Sequence, residues 1–164
     1  MIEVKISDNC EHINPDCSGI RHTAEHICSR FGIRQATISI SILNSEDITS
    51  LNRKFLNHDW ATDCISFDLS EHGQEAPSEK IFEIIVNGQK AIEQASRRSH
   101  NPEAELALYI VHGILHNLGF NDSTKTESDR MHKTEDQILN ELGYGTVFYD
   151  QTDEDIHYEK GLGK

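Results

Sequence analysis

The chain has 164 residues, 36% of them hydrophobic and 26% charged, with a formal net charge of −13 at pH 7. This is the size and composition of one globular domain with a real core, and no segment approaches the roughly 20 apolar residues of a membrane span. The acidity excludes coating of nucleic acid by bulk electrostatics, yet leaves room for a local basic groove, because binding follows the local potential.

In chain order, the opening Met1-Ile2-Glu3-Val4-Lys5-Ile6 reads as a half-buried strand over 2–6. It lacks the cationic and long apolar regions of a secretory signal, so a cytoplasmic protein is expected. Ile20, Ala24, Ile27 and Phe31 recur at helical spacing and predict a helix over 18–31 that Gly32 stops. Cys10, Cys17, Cys28 and Cys64 form no Cys-x-x-Cys pair and read as reduced thiols.

Residues 37–42 alternate strictly and predict a strand with one apolar face. Asn44 and Ser45 are suited to cap a helix carrying Ile48, Leu51 and Phe55 inward. Cys64-Ile65-Ser66-Phe67 predicts a third strand, and a polar loop runs from Asp68 to Lys80. Residues 81–86 are apolar at five of six positions, as a central strand would be. Asn87-Gly88 leads into a helix through Ala91, Ile92 and Ala95. From Lys80 to His100 the charge balance reverses, with Lys80, Lys90, Arg97 and Arg98 facing only Glu83 and Glu93. A solvated helix face explains that run as readily as a binding groove does.

Asn101-Pro102 is a strong helix start. The following helix, Glu103 to Leu118, is apolar on nearly all sides and should be buried, with Gly119 ending it. A last helix over about 127–142 places Met131, Ile138 and Leu142 on one face and stops at Gly143. The expected fold is α+β: one domain over 1–149, a mixed four-stranded sheet packed with about five helices. Residues 150–164 are expected to be a polar, loose tail.

Chemistry concentrates at the end of the buried helix. His112 and His116 are four residues apart, so both imidazoles leave one helix face about a turn apart. Gly119 turns the chain, and Asp122 can fold back toward them as a third ligand. Two histidines in an apolar helix need partners, because burying unsatisfied polar groups is costly. Three protein ligands would hold one Zn2+ per chain and leave a position open for water, as hydrolytic zinc sites do. A His2Asp set also suits nickel, cobalt or iron(II). A second His-x3-His pair, His22 and His26, points away from its helix's apolar stripe and has no turn-borne third ligand; it reads as a polar face.

His112-Gly113-Ile114-Leu115-His116-Asn117-Leu118-Gly119-Phe120-Asn121-Asp122 resembles the signature His-Gly-x-Leu-His-x-x-Gly-Tyr-Asp-His of the YbeY family, metal-dependent endoribonucleases of ribosomal RNA maturation. Leu51-Asn52 and Thr62-Asp63-Cys64-Ile65-Ser66-Phe67 are similar to the family's Leu-Asn and Thr-Asp-Val-Leu-Ser-Phe. A closing helix with Met131 and Glu135 follows in the family's order, so the resemblance covers about residues 35–142. Three departures stand out: Asp122 replaces the third His, Leu56 falls where the family has Arg, and Phe82-Glu83 replaces Gly-Asp.

The resemblance implies an endoribonuclease acting on ribosomal RNA or a ribosomal subunit, with no DNA or membrane partner expected. Arg53, Lys54, Lys90, Arg97 and Arg98 are the candidate phosphate-backbone contacts, and Asp63 and His58 are candidate catalytic residues. Asp63 could equally serve a turn, and an isolated His58 could equally be structural. Two alternatives stay open: a non-catalytic ribosome-assembly factor braced by the metal, and a zinc peptidase. The peptidase lacks its general base, since Gly113 stands where His-Glu-x-x-His has Glu.

Overall fold

Alternation along the strands decides how the molecule is layered. In the computed structural model, which describes residues 1–73, 79–145 and 147 and the backbone of 158–160, β1 (Ile2–Asp8), β2 (Ala36–Leu43) and β4 (Lys80–Asn87) run parallel. β3 (Cys64–Asp68) pairs antiparallel with the other edge of β4, completing the expected mixed four-stranded sheet. A short β5 (Tyr158–Lys160), from the segment expected to be a loose tail, pairs with β3 and gives the order β1-β2-β4-β3-β5. β4 is central, as its near-continuous apolar run predicts.

One sheet face carries Ile38, Ile40, Ile42, Cys64, Phe82, Ile84 and Val86 into the main core. Against it pack α1 (Cys17–Arg30) and α4 (Pro102–Asn117), the latter buried from Ala104 to His116. The opposite face is smaller: Ile65 and Ile85 meet Ile48 of α2 (Ser45–Leu56). Helices α3 (Gly88–Arg98) and α5 (Lys125–Glu141) flank α4. The caps expected at Asn44 and Asn101 form, and Asn87 and Thr124 add two more. Asn44, Asn87 and Asn101 each accept a backbone N–H of α2, α3 and α4, and Thr124 with Glu127 forms a capping box on α5.

One inward expectation fails. Phe55 is 46% exposed, because it sits in the last turn of α2, where its ring meets Phe67 of the short β3 edge-on at 6.2 Å. Asn52, at helical spacing from Ile48, takes the buried place instead and donates from Nδ2 to the Trp60 carbonyl at 3.0 Å. All four cysteines are free thiols.

The seat of α4 on the sheet is set by Gly113. A Cβ there would lie 2.8 Å from Cys64 Sγ and 3.2 Å from Ile84 Cγ2. Glycine therefore lets the helix backbone close onto β3 and β4, and that face of α4 is fixed to the sheet. His112, one residue earlier, is thereby turned toward α5.

Candidate metal centre

The apolar sequence of α4 buries both histidines almost completely, and helical spacing brings their rings to 4.6 Å, edge to face. After His116 the chain turns at Gly119, whose φ of +99° is open to glycine and strained for other residues. That turn returns Asp122 to the histidines, as expected. His112 Nε2 and His116 Nε2 are 3.1 Å apart, and Asp122 Oδ2 is 3.8 and 3.5 Å from them. Ligands at 2.0–2.1 Å from a tetrahedral zinc stand about 3.3 Å from one another, and the three spacings bracket that value. Among the described residues, this is the one group of His, Cys, Asp and Glu able to hold a metal ion. Asp122 is partly exposed, so solvent reaches the side opposite the helix.

The second nitrogen of His112 is also engaged. His112 Nδ1 is hydrogen-bonded to Glu135 Oε1 of α5, and Glu135 Oε2 is 3.0 Å from His132 Nδ1. His116 hydrogen-bonds the Phe120 backbone. With a proton on Nδ1 of each ring, both Nε2 atoms present lone pairs to the same point.

Electrostatics favour a ligating His116. Burial, reinforced by the neighbouring His112, lowers His116 to about 4 against the opposing pull of Asp122 and Glu135, so it is neutral and able to ligate at pH 7. Burial by itself would raise Glu135, but His112 and His132, hydrogen-bonded to its two oxygens, hold it below the usual carboxylate range. Burial would likewise lower His132, yet the hydrogen bond and charge of Glu135, with Asp122 and Asp136 behind it, raise it.

The other candidate residues are scattered. His22 is exposed, and His26 Nε2 is 2.6 Å from Glu141 Oε2, a surface contact that forms no three-donor group among the described residues. Arg53 is exposed and bonded to Asp59, while Lys54 lies 5.3 Å over the Phe55 ring. Arg97 is exposed at the end of α3. Arg98, expected on the same cationic face, is instead turned into the protein: its side chain is 4% exposed and sits 3.2 Å from buried Glu105. Asp63 is buried, with Lys90 Nζ at 3.5 Å, and its backbone carbonyl accepts from Asn87. The His58 ring stacks on Trp60 at 4.3 Å. Leu56 packs at the border of the smaller core.

Sequence reasoning named Glu135 only by its place in the closing helix and passed over His132. A local signal existed. Met131, Glu135 and Ile138 share the inward stripe of α5 and all are fully buried, and a carboxylate on such a stripe needs a partner in the core.

Comparison with known proteins places this arrangement. The family model described as endoribonuclease YbeY matches residues 5–143. The chain belongs to the endoribonuclease YbeY family. Curated members carrying that name include one from Bacillus subtilis, 31% identical over 133 residues, covering 76% of this chain and 84% of that protein. The member from Salinibacter ruber is 31% identical over 138 residues, covering 79% and 88%. That from Alkaliphilus metalliredigens is 33% identical over 109 residues, covering 65% and 70%. A solution structure from Thermotoga maritima aligns with 94% of this chain and 100% of its own at a TM-score of 0.57 and 19% identity, a likeness of fold. The YbeY match spans β1 through α5, so the donor cluster lies inside the shared domain.

Proposed function

We propose that this chain is a metal-dependent endoribonuclease of ribosomal RNA maturation, working in the cytoplasm with one Zn2+ held by His112, His116 and Asp122. The observation that carries the reading is the convergence of three donor atoms at 3.1–3.8 Å on a partly exposed face of an otherwise buried helix. Bound there, zinc would supply Lewis acidity toward a phosphate oxygen or a water. His112 and His116 provide neutral imidazole ligands, and Asp122 adds a negative charge that makes the centre a weaker acid than an all-histidine site. Exposed Arg53, Lys54 and Arg97, together with Lys90, hold the RNA backbone. Residues 1–149 make up the domain that does this.

A second reading, a non-catalytic ribosome-assembly factor braced by its metal, is favoured by the apolar Leu56 at the family's Arg position and by the burial of Arg98 against Glu105. The peptidase alternative finds no support, because Gly113 faces Cys64 and Ile84 of the sheet and offers no base.

Metal analysis and cleavage of single-stranded ribosomal RNA, measured on wild type beside His116→Ala, test the proposal. It expects about one zinc per chain, with zinc and at least a hundredfold of the activity lost together in the variant. Zinc in the wild type without cleavage supports the assembly-factor reading, and absence of metal from both proteins overturns the site.

A further inference from the structure

Glu135 is fully buried on the inward stripe of α5, between Met131 and Ile138. An apolar side chain would suit that stripe, and an ionised carboxylate there costs several kcal/mol unless its oxygens are bonded. Among the described residues its ion-pair partners are not Lys or Arg but two imidazoles: His112 Nδ1 on Oε1 and His132 Nδ1 on Oε2. One of these rings belongs to the donor cluster. The other, on α5 itself, has a side chain mostly covered but reaching the surface.

From this bridge we propose that Glu135 is a positioning residue of the metal centre, with His132 as its anchor. Glu135 holds His112 protonated on Nδ1, so that Nε2 carries the lone pair aimed at the ion. The inference rests on the metal-site reading above and adds the device that prepares it. An imidazole has one ring proton to place when neutral. A fixed acceptor at Nδ1 excludes the tautomer that would point N–H at the metal, and a carboxylate acceptor raises the basicity of the opposite nitrogen. His132 keeps the second oxygen in place, so the carboxylate cannot rotate away from His112.

The two histidine ligands are therefore unequal. His112 is backed by a carboxylate and His116 by a neutral backbone group. Glu135 also sets the charge of the centre. Asp122 and Glu135 together bring two negative charges to the site, matching a divalent cation where an all-histidine set would rely on Glu135 alone.

The test uses the whole chain and zinc alone. Nitrogen-15 correlation spectra of metal-free wild type are expected to show His112 protonated on Nδ1; protonation on Nε2 would overturn the proposal even if no variant folded. Zinc affinity by chelator competition is then compared across Glu135→Gln, Glu135→Leu and His132→Gln. A loss of about 10-fold for Gln and nearer 100-fold for Leu is expected, the range found for partners of metal-ligating histidines, with a smaller loss for His132→Gln. A merely structural Glu135 would lower the unfolding midpoint while leaving the zinc affinity of the folded variants at the wild-type value, and that result refutes the inference. If wild type binds no zinc, the proposed function fails instead, while the tautomer of the metal-free protein still decides the role of Glu135.

Discussion

Helix α4 carries two buried polar clusters, and their contrast shows what separates a structural group from a candidate site. In its first half, Glu105 and Tyr109 are shut in with Arg98, whose guanidinium lies 3.2 Å from the Glu105 carboxylate. Burial raises both Glu105 and Tyr109, with the Arg98 charge pulling the other way. Arg98 meets the carboxylate at Oε1, while Glu105 Oε2 and the Tyr109 hydroxyl are shut in beside it without a hydrogen bond among the described residues, and no set of acceptors converges on one point. One turn further on, two imidazole nitrogens face each other at 3.1 Å with a carboxylate oxygen at 3.5 and 3.8 Å. When both Nδ1 atoms carry the protons, three electron-rich atoms converge on one point and repel until a cation stands between them. Burial of polar groups is common to both halves; convergence of acceptors distinguishes the second.

The largest way to sharpen that contrast is Arg98→Ala. It leaves Glu105 buried without its cation, which costs about 3–5 kcal/mol. Urea unfolding should show that loss, while zinc stoichiometry of the remaining folded protein stays at the wild-type value. A parallel fall in zinc content would mean that the two clusters are one network.

Gly113→Ala probes the seat that both clusters share. The new methyl would meet Cys64 Sγ at 2.8 Å in the core, an overpacking worth about 1–3 kcal/mol, offset in part by the roughly 1 kcal/mol by which alanine favours helix. Net destabilisation of about 1 kcal/mol is expected from the same unfolding curves. A stability equal to or above wild type would show that α4 shifts freely on β3, contrary to the fixed seat.

The smallest effect is in pH. His132 has its pKa raised in the folded state from an ordinary 6.5. Its contribution to stability is thus fully present below about pH 6.5 and is lost as pH rises through the folded value. The stability gap between metal-free wild type and His132→Gln should be widest near pH 6 and narrow on the alkaline side. A gap that widened with rising pH would mean that Glu135 does not hold a charged His132.

Much of the fold was legible because its signals are short. The alternation of β2, the apolar run of β4 and the caps at Asn44 and Asn101 each lie within a few residues, and each element forms close to its expected bounds. The donor cluster was equally legible: helical spacing unites His112 with His116, and Gly119 returns Asp122 after three residues. Phe55 was misread because helical phase says which side of α2 a residue occupies, and the length of β3 decides whether anything covers it.

By itself, then, the sequence determined the elements and the three donors through patterns among near neighbours in the chain, and their order implied the mixed α+β arrangement. Only the tertiary structure decided the partners of those donors. It set Glu135 against His112 across 23 residues, turned Arg98 away from the cationic surface onto Glu105, and drew residues 158–160 into the sheet beside β3. These are choices about which surfaces meet, and a buried charge takes whichever opposite or hydrogen-bonding group the packing brings within reach, because leaving it alone costs more than any local preference can supply.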